Sequence, residues 1–410
     1  MAPPSTVDAI VIGSGAFGSS TAYHLTRRGL RVALLDQHAL ASQTSPRAAG
    51  LTSKADTMAT MARLRDEACE ALERFEGEMG RSVSFHRSGS LRAAYTDAGV
   101  ERVRIAHATA QGLGIEARLI DAAEAGRLAP HFTPGAARRI LHVPSDGWVD
   151  PARVAIGFAT RAGELGARLC PFTAVQGLLR SGDRATGVVT ASGEIHARVV
   201  VDAAGGWAAR VAAGAGIALP LVPVRHQLFI TEPIPGVVPE FPIARVIDAN
   251  VYVRHERGGL MLGGYEADPL QVDAATLPPA FEMAELPLDI EVLRRLAASV
   301  AEQFPIFQDS AIQIAEHRGG LPTITTDDRY LVGPLPGIAG AWVMSGCCVG
   351  GLSASPALGE ALAEWIVDGR PELDLSEIST ARFAGRQIDE AELRERCRQA
   401  YASHYRSDRE

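Results

Sequence analysis

Hydrophobic positions along the chain change period several times, and each change marks an element. VDAIVIG at residues 7–13 is a nearly continuous apolar run rich in valine and isoleucine, which suits a strand buried on both faces. A glycine-rich turn interrupts it. Helical spacing then runs through SSTAYHLTRRG, a helix predicted to end at Gly29, before RVALLD supplies a second buried strand. Further on, Met61, Leu64, Ala68, Leu72, Phe75 and Met79 recur every three or four positions, as on one face of an amphipathic helix. VSFHRSGSLRAAY alternates instead, predicting strands joined near Ser88 and Gly89. PSDGWVDPARVAIGFATRAGELG carries a turn, a cap at Asp150, Pro151 at the first helical position and an apolar stripe behind it.

Short strands punctuated by SGD and ASGE follow, ending in HARVVVDAAGGW. From about residue 221 to 317 the pattern is strand-rich, in VRHQLFITE, ANVYVRHE and GLMLGGYE, closed by a helix IEVLRRLAASVAEQF that Pro305 stops. AWVMSGCCVGGLSASPALGEALAEWIVDG then reads as a strand, a glycine-rich turn and a helix opening near Pro356. The order predicts an α/β fold (α+β overall), a Rossmann-like nucleotide domain with a β-sheet substrate domain inserted into it. The nucleotide domain takes residues 1–85, 145–220 and 318–372, and the substrate domain 86–144 and 221–317. Residues 373–410, charged and helical, are expected to form a peripheral C-terminal tail.

Composition narrows the function classes. At 410 residues the chain is too long for one simple core, and 47% apolar with 21% charged residues is ordinary for a soluble globular enzyme. A net charge of −8 without any run of Lys or Arg argues against a nucleic-acid partner. The five cysteines show neither a disulfide framework nor metal-type spacing, which suits a reducing compartment. The N-terminal residues lack the features of a signal peptide, and the longest apolar region is broken by Asp202, Arg210 and two prolines, so no membrane span is expected. A cytoplasmic location is the expectation.

The first forty residues carry the clearest chemistry. Gly13-Ser14-Gly15-Ala16-Phe17-Gly18 sits between a buried strand and a helix, and Asp36 closes the second strand eighteen residues after Gly18. Gly13 permits the tight turn, Gly15 lets backbone approach a pyrophosphate, and Gly18 lets the helix pack on the sheet. Exposed amides at the helix N-terminus meet phosphate charge, and Asp36, with Gln37 beside it, can reach ribose hydroxyls. The motif is a dinucleotide site; by itself it separates neither FAD from NAD.

The order of GSGAFG, SPRAAGLTS, FHRSGSLR, DGWVDPARV, VVDAAGGWA, VPVRHQLFITEPI, YVRHERGGLMLGGYE and LPTITTDDRYLVGP, with the final glycine turn, resembles the FAD-dependent amine oxidoreductases of the D-amino-acid oxidase and sarcosine oxidase kind. The similarity is greatest to the flavin portion of dimethylglycine and sarcosine dehydrogenases. It implies FAD bound across the Rossmann-like domain and oxidation of a C–N bond in a secondary or tertiary amine by hydride transfer. An N-alkyl amino acid is the expected substrate, with oxygen or an electron-transfer protein as the acceptor. The resemblance also assigns residues. His226 matches the family's active-site histidine, where a neutral imidazole would keep the amine deprotonated; the alternative is a histidine satisfied within a sheet. Tyr252 matches an active-site tyrosine, the alternative being an ordinary strand aromatic. Arg254 would share its strand face and could pair with a substrate carboxylate or form a surface salt bridge. Ser45, Ala49, Gly50, Leu51, Val175, Ala204, Gly205, Trp207, Gly346, Gly350 and Gly351 fall where the family approaches FAD. Cys347 and Cys348 lie in the same turn and are read as small thiols, since adjacent cysteines rarely bridge without strain.

Three positions depart from the resemblance. Arg47 stands where the dehydrogenases attach FAD through histidine, Gly320 where the monomeric sarcosine oxidases use cysteine, and Ser353 where those oxidases bind carboxylate with lysine. FAD is therefore expected to be held without a covalent bond. Arg47 would lie beside the flavin ring, serving either the reduced flavin or a substrate carboxylate. Oxidation of a cyclic imino acid or a D-amino acid is the alternative within the same chemistry. A non-catalytic, flavoprotein-like regulatory subunit is the alternative outside it.

Overall fold

The computed structural model describes residues 3–278, 280–386 and 389–405. Its first sheet has six strands in the spatial order Leu331–Pro334, Ala341–Ser345, Val199–Asp202, Ala9–Ile12, Val32–Leu35 and Arg168–Cys170. All neighbours are parallel except the first pair. Every residue of Ala9–Ile12 and Val32–Leu35 is buried, which is why these strands are apolar runs without alternation. Helices Ala16–Arg27, Ala59–Met79, Pro151–Glu164 and Gly351–Asp368 share one apolar core on one face. A three-stranded sheet, Val175–Ser181 with Arg184–Thr190 and Gly193–His196, covers the other.

The last of those helices begins at Gly351, five residues before Pro356, where a later start was expected from the proline. Proline cannot donate to the carbonyl of Leu352, and the Ser355 hydroxyl donates there instead at 2.8 Å, so the helix continues through it.

The second large sheet has eight strands, ordered Ile314–Gly320, His226–Thr231, Gly259–Gly264, Val251–Glu256, Ile243–Val246, Ser90–Ala94, Arg139–Val143 and Arg118–Ile120. It is antiparallel apart from the join between Ile243–Val246 and Ser90–Ala94. Helix Ile290–Ser299 packs on one face of it through Leu293 and Ala297. The opposite face presents Leu228, Ile230, Tyr252 and Met261 toward the nucleotide domain. The boundary expected at residue 318 falls inside the edge strand Ile314–Gly320.

Helix Glu390–Ala402 corrects the expectation of a peripheral tail. Cys397, Ala400 and Tyr401 are buried in the same cluster as Tyr252 and Met261. Spacing of three and four residues gives the helix a narrow apolar stripe, and its charged remainder masks that stripe in the composition.

Candidate active site

At the nucleotide end, the Gly13–Gly18 turn links strand Ala9–Ile12 to helix Ala16–Arg27. A side-chain carbon at Gly18 would run into the carbonyl oxygen of Gly13, so only glycine lets the helix start this close to the strand end. Gly15, Ala16 and Phe17 border a long cavity between the two sheets. The first turn of the helix carries no acidic residue, so the positive end of the helix beside that cavity is not cancelled from within the helix. The turn therefore fits a pyrophosphate.

Asp36 is placed at the end of its strand as expected, but it also organises the turn. Its carboxylate accepts from the Ser14 amide at 2.8 Å, the Ser14 hydroxyl at 2.6 Å and the His38 amide at 2.8 Å. The segment Ser45–Leu51 docks on the helix start through Ser45, whose hydroxyl oxygen accepts from the Ala16 amide at 3.0 Å. Ser45, Arg47, Ala49, Gly50 and Leu51 all border the cavity, as do Gly205, Gly350 and Gly351. Gly13, Gly18, Gln37, Val175, Ala204, Trp207 and Gly346 do not border it. Arg47 is half-buried and bends back on its own loop, donating from Nη1 to the carbonyls of Ser42 at 2.8 Å and Gln43 at 2.9 Å. Burial lowers its pKa. Gly320 and Ser353 border the same cavity as Arg47, so all three departures meet there. Cys347 borders it too, with its thiol pKa pushed up by burial.

At the other end stands a chain of three aromatic groups. His226, first residue of its strand, lies with Nε2 3.0 Å from the Tyr252 hydroxyl and Nδ1 2.8 Å from the Tyr401 hydroxyl. Tyr252 projects from the neighbouring part of the sheet, and a side-chain carbon at Gly263, between them, would run into its hydroxyl. Glycine at 263 is what lets the phenol lie across the sheet to the histidine. Burial pushes the pKa of His226 down to about 3 and that of Tyr252 well above the ordinary phenol value. The imidazole is thus neutral, giving one donor and one acceptor, so it donates to one tyrosine and accepts from the other. His226 and Tyr252 both border the cavity. Tyr265 packs 5.1 Å from the imidazole, and His404 stacks on Tyr265 at 4.4 Å while bonding Asp328 at 2.8 Å.

Arg254 does form a salt bridge, with Glu256, but not at the surface. It is 1% exposed, so it is not a surface residue, and it does not border the cavity. Its Nε donates to the carbonyl of Ala49 at 2.8 Å, Nη2 lies 2.6 Å from Glu256, and the guanidinium covers the Trp148 ring at 4.6 Å. It shares a face with Tyr252, but that row lies under the Ala49 loop. Arg254 clamps the loop to the sheet.

Residues 8–365 match the family model described as FAD dependent oxidoreductase. The chain belongs to that family. Among its relatives, 4-methylaminobutanoate oxidase (formaldehyde-forming) from Paenarthrobacter nicotinovorans is 31% identical over 98% of this chain and 49% of its own length. Mitochondrial dimethylglycine dehydrogenase from Mus musculus is 31% identical over 96% of this chain and 47% of its own length. The chain thus spans about half the length of the curated relatives it matches. Among solved structures, L-proline dehydrogenase from P. horikoshii superposes with a TM-score of 0.83 at 25% identity, covering 93% of this chain and 98% of that one. FAD is the cofactor of the family, and the phosphate-accepting turn described above suits it.

Several residues at this cavity were not anticipated: Arg92, Arg245, Tyr265, His404 and Tyr405 border it, and Tyr401 bonds His226. Two of them had a readable signal. Arg92 in SGSLRAA and Arg245 in FPIARVI are single charges inside otherwise apolar strand segments. Among the described residues no helix is long and apolar enough to cross a membrane.

Proposed function

We propose that this chain oxidises the C–N bond of a secondary or tertiary amine, an N-alkyl amino acid, by hydride transfer to FAD. The observation that supports this reading is the neutral His226, held between two tyrosine hydroxyls on the wall of a cavity that Gly15, Ala16 and Phe17 of the glycine turn also border. FAD supplies the two-electron acceptor. The chain's own residues must present the amine uncharged, because a protonated nitrogen has no lone pair to expel hydride. A buried imidazole with a pKa near 3 is a poor proton acceptor for an amine, so His226 does not act mainly by deprotonation. The same desolvation that keeps His226 neutral disfavours an ammonium ion in the cavity. The Tyr252 hydroxyl, fixed by His226, holds the amine nitrogen in place. As hydride leaves the carbon, the nitrogen lone pair forms the C=N bond. Water then splits that bond into an aldehyde and the shortened amine, formaldehyde in the case of an N-methyl group.

Purified protein should be yellow, and acid precipitation should release its FAD into the supernatant. Anaerobic mixing with N-methyl amino acids should bleach the flavin. Bleaching by D-amino acids or cyclic imino acids alone, or by no amine, would overturn the reading. Reoxidation by air separates oxygen from an electron-transfer protein as the acceptor.

A further inference from the structure

Tyr252 has a second neighbour on the sheet. Register places Arg245 directly beside it on one strand and Arg92 beside Arg245 on the next. Residues in register point to the same face, and all three border the cavity. Arg92 donates from Nη2 to the Ser53 hydroxyl and to the carbonyl of Ala55 at 2.6 Å, while Arg245 Nη2 lies 3.4 Å from the carbonyl of Thr52. These bonds brace the guanidinium groups without neutralising them. Arg92 Nε and Arg245 Nη1 are buried without any hydrogen-bond partner, and Arg245 is only 5% exposed. Among the described residues neither arginine is in an ion pair. The nearby carboxylates are otherwise engaged. Asp56 lies 2.6 Å from Arg65, and Asp146 accepts from the Ser90 hydroxyl at 2.6 Å and the Lys54 amide at 2.7 Å. Burial and the charge of Arg245 push the pKa of Arg92 down to about 10. Two buried like charges with open donors are costly unless an anion completes them.

We propose that Arg92 and Arg245 form a carboxylate subsite, distinct from the His226–Tyr252 end of the cavity, which selects amines bearing an acid several carbons from the reacting nitrogen. It rests on the amine-oxidation reading above and adds the substrate class. Guanidinium pairs suit carboxylate because they offer paired donors in a plane. The Tyr252 hydroxyl reaches over Gly263, away from Arg245. At about 5 Å per strand, the hydroxyl lies two strand spacings, on the order of 10 Å, from the backbone of the strand that carries Arg245. An α-amino acid, with its acid one carbon from nitrogen, does not reach both. An N-alkyl ω-amino acid does.

The test is equilibrium binding to the FAD-loaded protein, read as the perturbation of the flavin spectrum by N-methylglycine, 4-(methylamino)butanoate and N-methylbutylamine. Wild-type affinity should rise from the first to the second. Arg92→Gln and Arg245→Gln should each weaken 4-(methylamino)butanoate by about ten- to hundredfold. N-methylbutylamine, which has no carboxylate, should shift by less than about twofold on the same scale. A wild-type preference for N-methylglycine, which requires no variant to fold, overturns the subsite, and so do equal losses for the acid and for the amine that lacks a carboxylate. Arginine-dependent binding of the acid without any bleaching of the flavin would uphold the subsite and overturn the reaction. Bleaching that ignores both arginines would do the reverse.

Discussion

Tyr401→Phe removes one hydroxyl from the far side of His226 and leaves the ring in place. That ring packs 5.8 Å from the imidazole and 5.2 Å from Tyr265, so its apolar contacts survive the change. What is lost is the 2.8 Å bond to Nδ1, a nitrogen to which no other hydroxyl among the described residues is bonded. Leaving a buried polar atom unpaired costs about 1–3 kcal/mol. If the whole of that cost falls on the transition state, the flavin reduction rate drops by about five- to 150-fold at 1.36 kcal/mol per factor of ten. The loss arises because the imidazole is free to rotate or to change tautomer, and the Tyr252 hydroxyl then no longer has a fixed partner at 3.0 Å. Stopped-flow anaerobic reduction by a saturating N-methyl amino acid measures the rate. FAD content and the pH profile of the same step are read in parallel. A purely structural role for Tyr401 predicts lower stability with an unchanged pH profile, whereas a positioning role moves the profile. Wild-type rate together with a wild-type profile in Tyr401→Phe would refute the reasoning.

Gly263→Ala places a methyl where the Tyr252 phenol crosses the sheet, so it should slow reduction at least as much as Tyr252→Phe while FAD stays bound; equal rates in Gly263→Ala and wild type would contradict the packing. His24 and His226 are both buried neutral with pKa values near 3 against an ordinary value of 6.5. Their folded values are depressed, so the unfolded chain binds more protons between pH 6.5 and 3. Each therefore contributes stability that is complete above that window and falls by about 1.4 kcal/mol per pH unit within it. Urea midpoints measured down the pH scale should show this, and His24→Leu should flatten the slope. Arg47→Ala cuts both bonds that brace the Ser42–Arg47 loop, so FAD should dissociate about tenfold more readily; unchanged retention by equilibrium dialysis would return Arg47 to a surface role.

What could be read from the sequence was what is local or strongly periodic. Gly13, Gly15, Gly18 and Asp36 lie within one strand–helix–strand unit, and strands buried on both faces announce themselves as apolar runs. His226 and Tyr252 were legible through a resemblance, and their mutual bond followed only once Gly263 was seen to leave the space between them. Tyr401 was not legible, because 175 residues separate it from its partner and its helix looks polar apart from three buried positions. Arg254 misled for a related reason. Strand alternation correctly put it on the face of Tyr252, but which part of that face is covered by the Ala49 loop depends on a contact 205 residues away. Arg92 and Arg245 needed the parallel register of two strands that no short window contains.

The first sheet has a consequence for the life of the chain before it is finished. Strand Ala9–Ile12 pairs on one side with Val32–Leu35, close behind it, and on the other with Val199–Asp202. Val199–Asp202 in turn waits for Ala341–Ser345. At about 5–20 residues per second, a ribosome takes roughly 10–40 s to travel from the first of these strands to the strand at 199. During that interval the strand leading into the glycine turn is an open, fully apolar edge. The nascent protein therefore needs shielding longest at the strand that leads into the glycine turn, and the sheet around that turn closes only after the strand at 341 has been made.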